Sequence, residues 1–513
     1  MSMKQKSGLR TVAAAVWVLA LASGLAAGPV LAQAGAADVT TASAPAEPRR
    51  AVTRHSGHFN GQDVAYTATV ADNFVAGPDG LPGASVITIA YTRDDVADPA
   101  RRPVIFAFNG GPGASSSPLH ISALGPMRKA PEGAGQGALV DNPFSPLDVA
   151  DMVFLDPVGT GFSRAVPGVD DKYWYTGATD AAAVRSAIQN WLKVNGREAS
   201  PRYLAGESYG TTRAALIAAD TSALTFDGVL LIALSAPVAG REMPFVTALP
   251  TMAAGAWHHQ RIDRAGRSVD QVYEEALAFA RTDYVEALIL GSSLPDADRR
   301  RIAERMSGLI GLPVDLILAQ DLRISSNVWM FNLLKEQGLR TGLLDVRVTS
   351  PMEAGALGAL DDPSLGVVPR GRPGGPAPTP ASIGPIVNAT LGEYVSKTLG
   401  FASDEPYYSL NFLVNAAWSH GDSPRAMEGL AETLKARPEM RLFWAAGYYD
   451  LTTPAYAGRY VLDQVGMPAG QLTATYFAGP HGVYDGEDNL ERFGAALRTF
   501  VAGSATDGQV AGR

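Results

Sequence analysis

From Arg54 to Thr92, apolar and polar residues alternate. Asp63-Val64-Ala65-Tyr66-Thr67-Ala68-Thr69-Val70 and Ser85-Val86-Ile87-Thr88-Ile89-Ala90-Tyr91 follow a period of two, with Gly and Pro between them, which predicts antiparallel strands joined by turns. The rhythm then changes. Residues 103–108, 151–155, 203–205 and 228–234 are short apolar runs, the pattern of strands buried on both faces. Between them, 182–194 sets Val184, Ile188, Trp191 and Leu192 at helical spacing. This alternation predicts an α/β class, with a mostly parallel, doubly wound central sheet and helices on both faces.

From about 244 to 353 the period is helical, with Val269, Val272, Tyr273, Ala276 and Ala280 on one face and Ile302, Met306 and Leu309 on another. The last two strands, at 441–446 and 473–477, come only after this interruption. A helical insertion at that point is expected to cap the strand ends and shape a substrate cleft. Residues 366–380, rich in Pro and Gly, read as an exposed loop. At the start of the chain Lys4, Lys6 and Arg10 precede an apolar run from about Val12 to Ala27, and Ala32-Gln33-Ala34 has cleavage-site spacing. Residues 1–34 therefore read as an export signal, and 35–50, rich in Ala, Thr, Ser and Pro, as a disordered leader. A retained anchor is the alternative, because the run approaches the lower limit of a bilayer span. The predicted layout is a core in two parts, 51–243 and 436–503, a helical cap at 244–435 and a flexible tail at 504–513. The expected location is periplasmic or secreted, with no stable membrane insertion after signal removal.

Composition narrows the chemistry. A chain with 46% hydrophobic and 18% charged residues is ordinary for a globular enzyme, and a net charge of −9 argues against nucleic acid as partner. There is no cysteine, so disulfides, thiol catalysis and cysteine-based metal sites are excluded. His258-His259 are neighbours on a helix and do not face one another, so they read as ordinary residues. No metal or cofactor is expected.

Three stretches carry candidate chemistry. Gly206-Glu207-Ser208-Tyr209-Gly210 follows an apolar strand and precedes a run of helix formers, the context of a sharp turn that presents a serine hydroxyl. Flanking glycines remove crowding where such a turn strains the backbone. Gly447-Tyr448-Tyr449-Asp450 and Gly479-Pro480-His481-Gly482 then supply an acid and a base in the order Ser, Asp, His, which is the chain order of α/β-hydrolases. Asn109-Gly110-Gly111-Pro112-Gly113 directly follows a strand, where these hydrolases place one backbone donor of the oxyanion hole; the second is the amide of Tyr209.

The motifs resemble those of the serine carboxypeptidase family, and look close to its bacterial branch. Asn109-Gly110-Gly111-Pro112-Gly113-Ala114-Ser115-Ser116, Leu124-Gly125-Pro126, Asn142-Pro143-Phe144-Ser145, the run from Phe154 to Ser163 and Gly206-Glu207-Ser208-Tyr209 are similar to family motifs in the same order. The similarity spans roughly 103–237 and 441–484. It implies an α/β-hydrolase fold and a carboxypeptidase acting on peptides through an acyl-enzyme. Ser208 is then the nucleophile, His481 the general base and acid, and Asp450 the group that orients it. Gly111 and Tyr209 form the oxyanion hole, and Asn109, Gly110 and Glu207 receive the substrate's terminal carboxylate. Three positions depart from the family: Ala123 stands where a second glutamate is usual, Ala114 where a cysteine is, and Gly482 where a methionine is common. The first leaves the family's shared-proton Glu pair incomplete.

Other readings use the same residues. A secreted esterase or acyltransferase needs the same nucleophile, base and oxyanion site. A binding protein on a hydrolase scaffold is the third class, and the presence of Ser208, Asp450 and His481 together argues against it.

Overall fold

The first strand begins earlier than the alternating pattern suggests. In the structure, a computed structural model describing residues 47–130, 138–222, 224–352, 384–419 and 425–503, β1 (Arg50–Phe59) pairs antiparallel with β2 (Gln62–Ala76), and β2 with β3 (Pro82–Arg93). Arg49 reaches the buried Asp72 at 2.8 Å, so the last residues of the expected leader are tied to the sheet by an ion pair. The export signal, most of the leader, the 366–380 loop and the tail lie outside the described residues.

The parallel strands are β4 (Val104–Phe108), β5 (Asp151–Asp156), β7 (Arg202–Glu207), β8 (Gly228–Ile232), β9 (Arg441–Gly447) and β10 (Leu472–Phe477), while the two-residue β6 (Arg164–Ala165) borders β3. The order across the sheet is β1-β2-β3-β5-β4-β7-β8-β9-β10, antiparallel as far as β5 and parallel beyond it. Alternation along each strand splits the core into two layers. Val104, Phe106 and Phe108 pack on one face with Leu204 and Trp444; Ile105 and Ala107 pack on the other with Tyr203 and Phe443. Each fully buried large side chain of this kind contributes about 1.5–3 kcal/mol, which is how a chain without disulfides holds its sheet.

Helices cover both faces. α1 (Gly177–Val194) buries Val184, Ile188, Trp191 and Leu192, the predicted face, and α2 (Tyr209–Ala219) follows β7 directly. The insertion falls between β8 and β9, which are neighbours in the sheet, with Gly228 opposite Arg441. Its helices α3 (Met243–His258), α4 (Val269–Phe279) and α5 (Asp296–Ile310) bury the two apolar faces read from the sequence. The insertion holds two further features. It carries short antiparallel pairs, Leu339–Thr341 with Thr349–Pro351 and Ile386–Val387 with Tyr408–Leu410, the second leading into α6 (Phe412–Ala417). Its last helix, α7 (Ala426–Ala436), packs on α2 as a sheet-flanking helix, because Met427, Leu430 and Leu434 form one apolar face.

Candidate active site

The predicted residues converge at the carboxyl ends of the parallel strands. Ser208 follows β7 at φ 58° and ψ −131°, a strained conformation for a residue with a side chain. Its backbone N–H donates to Ile232 O at 3.0 Å. The turn depends on glycine: a Cβ on Gly206 would lie 2.1 Å from the Gly210 carbonyl oxygen.

Asp450 lies beyond β9 and His481 beyond β10. Asp450 is fully buried; one oxygen accepts the N–H groups of Thr452 and Thr453 at 2.8 and 3.0 Å, and the other lies 2.7 Å from His481 Nδ1. Thr453 adds its hydroxyl to that second oxygen. The two loops touch through their backbones, since a Cβ on Gly447 would sit 2.2 Å from Pro480 O. Asp485, the other acid near the histidine, pairs with Arg347 at 3.0 Å. Among the described residues no hydrogen bond joins the Ser208 hydroxyl to His481, and such contacts are often long without substrate. Burial disfavours the charged imidazole, but the Asp450 charge and hydrogen bond and the Glu207 charge outweigh it, leaving the His481 pKa raised.

The glycine loop packs on the serine turn. A Cβ on Gly110 would come 2.3 Å from Tyr209 N, and Gly111 has φ +93°, so this approach is open to glycine alone. Asn109 accepts the Leu119 N–H on its side-chain oxygen at 3.1 Å. Its side chain also meets the buried Glu207, whose Oε2 accepts the Tyr484 hydroxyl at 2.7 Å. Burial raises the Glu207 pKa; His481, Tyr484 and Asn109 oppose the rise and the Asp450 charge adds to it. Ala123 is buried among Leu119, Ile121 and Leu124, so no second acid approaches from that position.

The insertion contributes in two places that sequence reasoning did not reach. Asn411 at the start of α6 donates through its backbone to Gly113 O and through its side chain to Gly159 O, at 2.7 and 3.0 Å, and Trp418 meets the Tyr209 ring edge-on. On the other side, a strap over 343–346 bonds both loops of the acid and the base: Leu451 N–H to Leu343 O, His481 N–H to Leu344 O and Val346 N–H to Tyr449 O, at 2.8–3.0 Å. His259, set aside as a metal ligand, places Nε2 2.8 Å from Val346 O. Thr453 was visible in principle, as a hydroxyl three residues after a buried acid; Tyr484 was not, because its partner is distant in sequence.

A sequence model described as serine carboxypeptidase matches residues 91–221, which include the glycine loop, the Phe154-to-Ser163 motif and Ser208. Over that segment the chain is similar to the serine carboxypeptidase family. Among the relatives it matches, serine carboxypeptidase-like 21 of Arabidopsis thaliana is 31% identical over 120 residues, 23% of this chain and 24% of that protein. The lysosomal protective protein of Mus musculus is 31% identical over 132 residues, 24% and 26% of the two chains. The match thus spans about a quarter of these relatives' length. The family model ends before Asp450 and His481. A crystal structure of the prohormone-processing carboxypeptidase Kex1 from Saccharomyces cerevisiae superimposes with a TM-score of 0.51 at 16% identity, covering 85% of this chain and 90% of that one. The shared architecture is the α/β-hydrolase fold.

Proposed function

We propose that the chain is an exported serine-type carboxypeptidase, of the family's bacterial branch, which removes C-terminal residues from peptides. The observation that carries this reading is the buried Asp450 on His481 Nδ1, at 2.7 Å, beside the strained turn of Ser208. That bond leaves Nε2 to take the Ser208 proton as the hydroxyl attacks the scissile carbonyl. Asp450 stabilises the resulting imidazolium, His481 returns the proton to the leaving amine as the C–N bond breaks, and water then repeats the sequence on the acyl-enzyme. The N–H groups of Gly111 and Tyr209 face the oxyanion, at about 3–4 kcal/mol each. Asn109, Gly110 and Glu207 receive the terminal carboxylate. A carboxylic acid donates to a carboxylate only while protonated, so the raised Glu207 pKa favours binding at mildly acidic pH. The helices of 244–435 wall the cleft, and residues 1–34 direct export and are cleaved near Gln33 or Gly35.

Paired peptides with free and amidated C-termini test this. The free acid should be cleaved with the higher kcat/KM, and Asn109→Ala should narrow the difference. Equal cleavage of both, with Asn109→Ala acting on both alike, would overturn the exopeptidase reading in favour of an esterase or acyltransferase.

A further inference from the structure

Arg213 is the fifth residue of α2 and its one charged residue, and its side chain is buried. Its Nε donates to Asp180 Oδ2 at 2.7 Å, and its Nη1 to the backbone oxygen of Asn109 at 2.6 Å. The guanidinium lies 5.3 Å from the ring centroids of both Phe108 and Tyr209. Asp180, in the first turn of α1, is equally buried. A buried ion pair is a poor source of stability, because removing both charges from water offsets their attraction, and an apolar pair of similar volume does as well or better. Burial raises the Asp180 pKa even though Arg213 and Tyr209 lower it, so desolvation dominates here too.

What the pair does accomplish is directional. The peptide between Asn109 and Gly110 is planar, so fixing its carbonyl toward Arg213 fixes the opposite direction of the Gly110 N–H. The next peptide carries the Gly111 N–H. We propose that Arg213, held by Asp180, is a positioning residue that sets the plane of the Asn109–Gly110 peptide and thereby steadies the adjoining peptide, whose Gly111 N–H is an oxyanion donor beside Ser208. This rests on the hydrolase reading above. The planar fork explains why arginine stands here: it bonds a carboxylate and a carbonyl at once in fixed geometry, which a lysine ammonium does not.

The test uses the full chain with Arg213→Lys, Asp180→Asn and the double variant Arg213→Met/Asp180→Leu, the last keeping the core filled should a single charge prevent folding. Three quantities are compared: kcat and KM for a C-terminally free peptide, inhibition by a peptidyl boronic acid, whose boron becomes tetrahedral on Ser208, and Tm. Each variant should lose about 10- to 100-fold in kcat and a similar factor in boronate affinity, with KM within about twofold. In the double variant these losses should occur with Tm unchanged or raised. A folded double variant with wild-type kcat and boronate affinity overturns the proposal. A wild-type protein that neither cleaves peptide nor binds the boronate overturns the hydrolase reading itself, and this inference with it.

Discussion

The two halves of the candidate site are built differently. Around Ser208, strand ends, a helix N-terminus and a glycine loop pack so closely that Gly110 and Gly206 leave no room for a Cβ, and these residues lie within the matched family segment. Around Asp450 and His481, the chain's own loops are held from outside by the insertion, through three backbone hydrogen bonds from 343–346. The first half takes its geometry mainly from close packing, with Asn411 of the insertion adding a bond to Gly113; the second has one such approach, Gly447 against Pro480 O, and otherwise depends on bonds that a rearranged insertion would break. Substitutions in the first should therefore act sharply, and those in the insertion by degrees.

The largest effect tests whether the halves act as one unit. Ser208→Ala and His481→Ala should each lower turnover by about 10⁵- to 10⁶-fold, and the double variant little further, since removing either partner abolishes the same coupled step. Additive losses in single-turnover assays would show that the halves work separately. Asp450→Asn should cost about 10⁴-fold, because an amide in that place favours the wrong tautomer of His481. It should also move the acidic limb of the kcat/KM profile. Burial alone would lower the His481 pKa, and Asp450 reverses this, so activity should fall as the pH drops through a raised value. Without the carboxylate that limb shifts to lower pH. The sign for stability is opposite. A histidine with a raised folded pKa contributes stability that is fully present below its unfolded pKa and lost as the pH rises through the folded one. Asp450→Asn should therefore destabilise most at acidic pH, read by Tm at several pH values.

Much of the first half was legible in the sequence because its causes are local. The Gly-x-Ser-x-Gly turn, the glycine loop after β4 and the strands that end at them are set by residues within a few positions of one another. Arg213 was legible only as the single charge in its helix, since Asp180 and Asn109 are distant in sequence. The Glu207–Tyr484 bond and the strap over 343–346 were not legible. They are contacts between segments far apart, and the strap acts through backbone groups that leave no trace in residue identity. The packing of α7 was not legible for the same reason: the sequence shows its apolar face but not that the face meets α2.

Gly110→Ala sharpens the steric side of the contrast. The added methyl would meet Tyr209 N at 2.3 Å and Gly210 N at 2.5 Å, both backbone atoms in the first turn of α2. Either the loop or the turn must shift, and a displaced oxyanion donor costs about 100-fold in kcat. Circular dichroism and Tm should report a folded chain. A variant with wild-type kcat would mean that the loop is free to move, and the proposed difference between the halves would collapse.

The smallest effect is expected at Arg347, on the insertion side. Its guanidinium bonds Asp345 at 2.8 Å and Asp485 at 3.0 Å and lies 5.1 Å from the Tyr449 ring centroid, so it joins the strap to the segments beside Asp450 and His481. Asp485 is well exposed, and an ion pair of that kind is worth no more than about 1 kcal/mol. The three backbone bonds of the strap remain when the side chain is removed. Arg347→Ala should therefore lower kcat by about two- to fivefold and leave KM nearly unchanged. High salt should reproduce part of the loss in the wild type, by screening the Asp485 contact. A loss approaching that of Asp450→Asn would instead place the strap's side chains among the parts that fix the histidine, and the insertion would then be as exacting as the glycine loop.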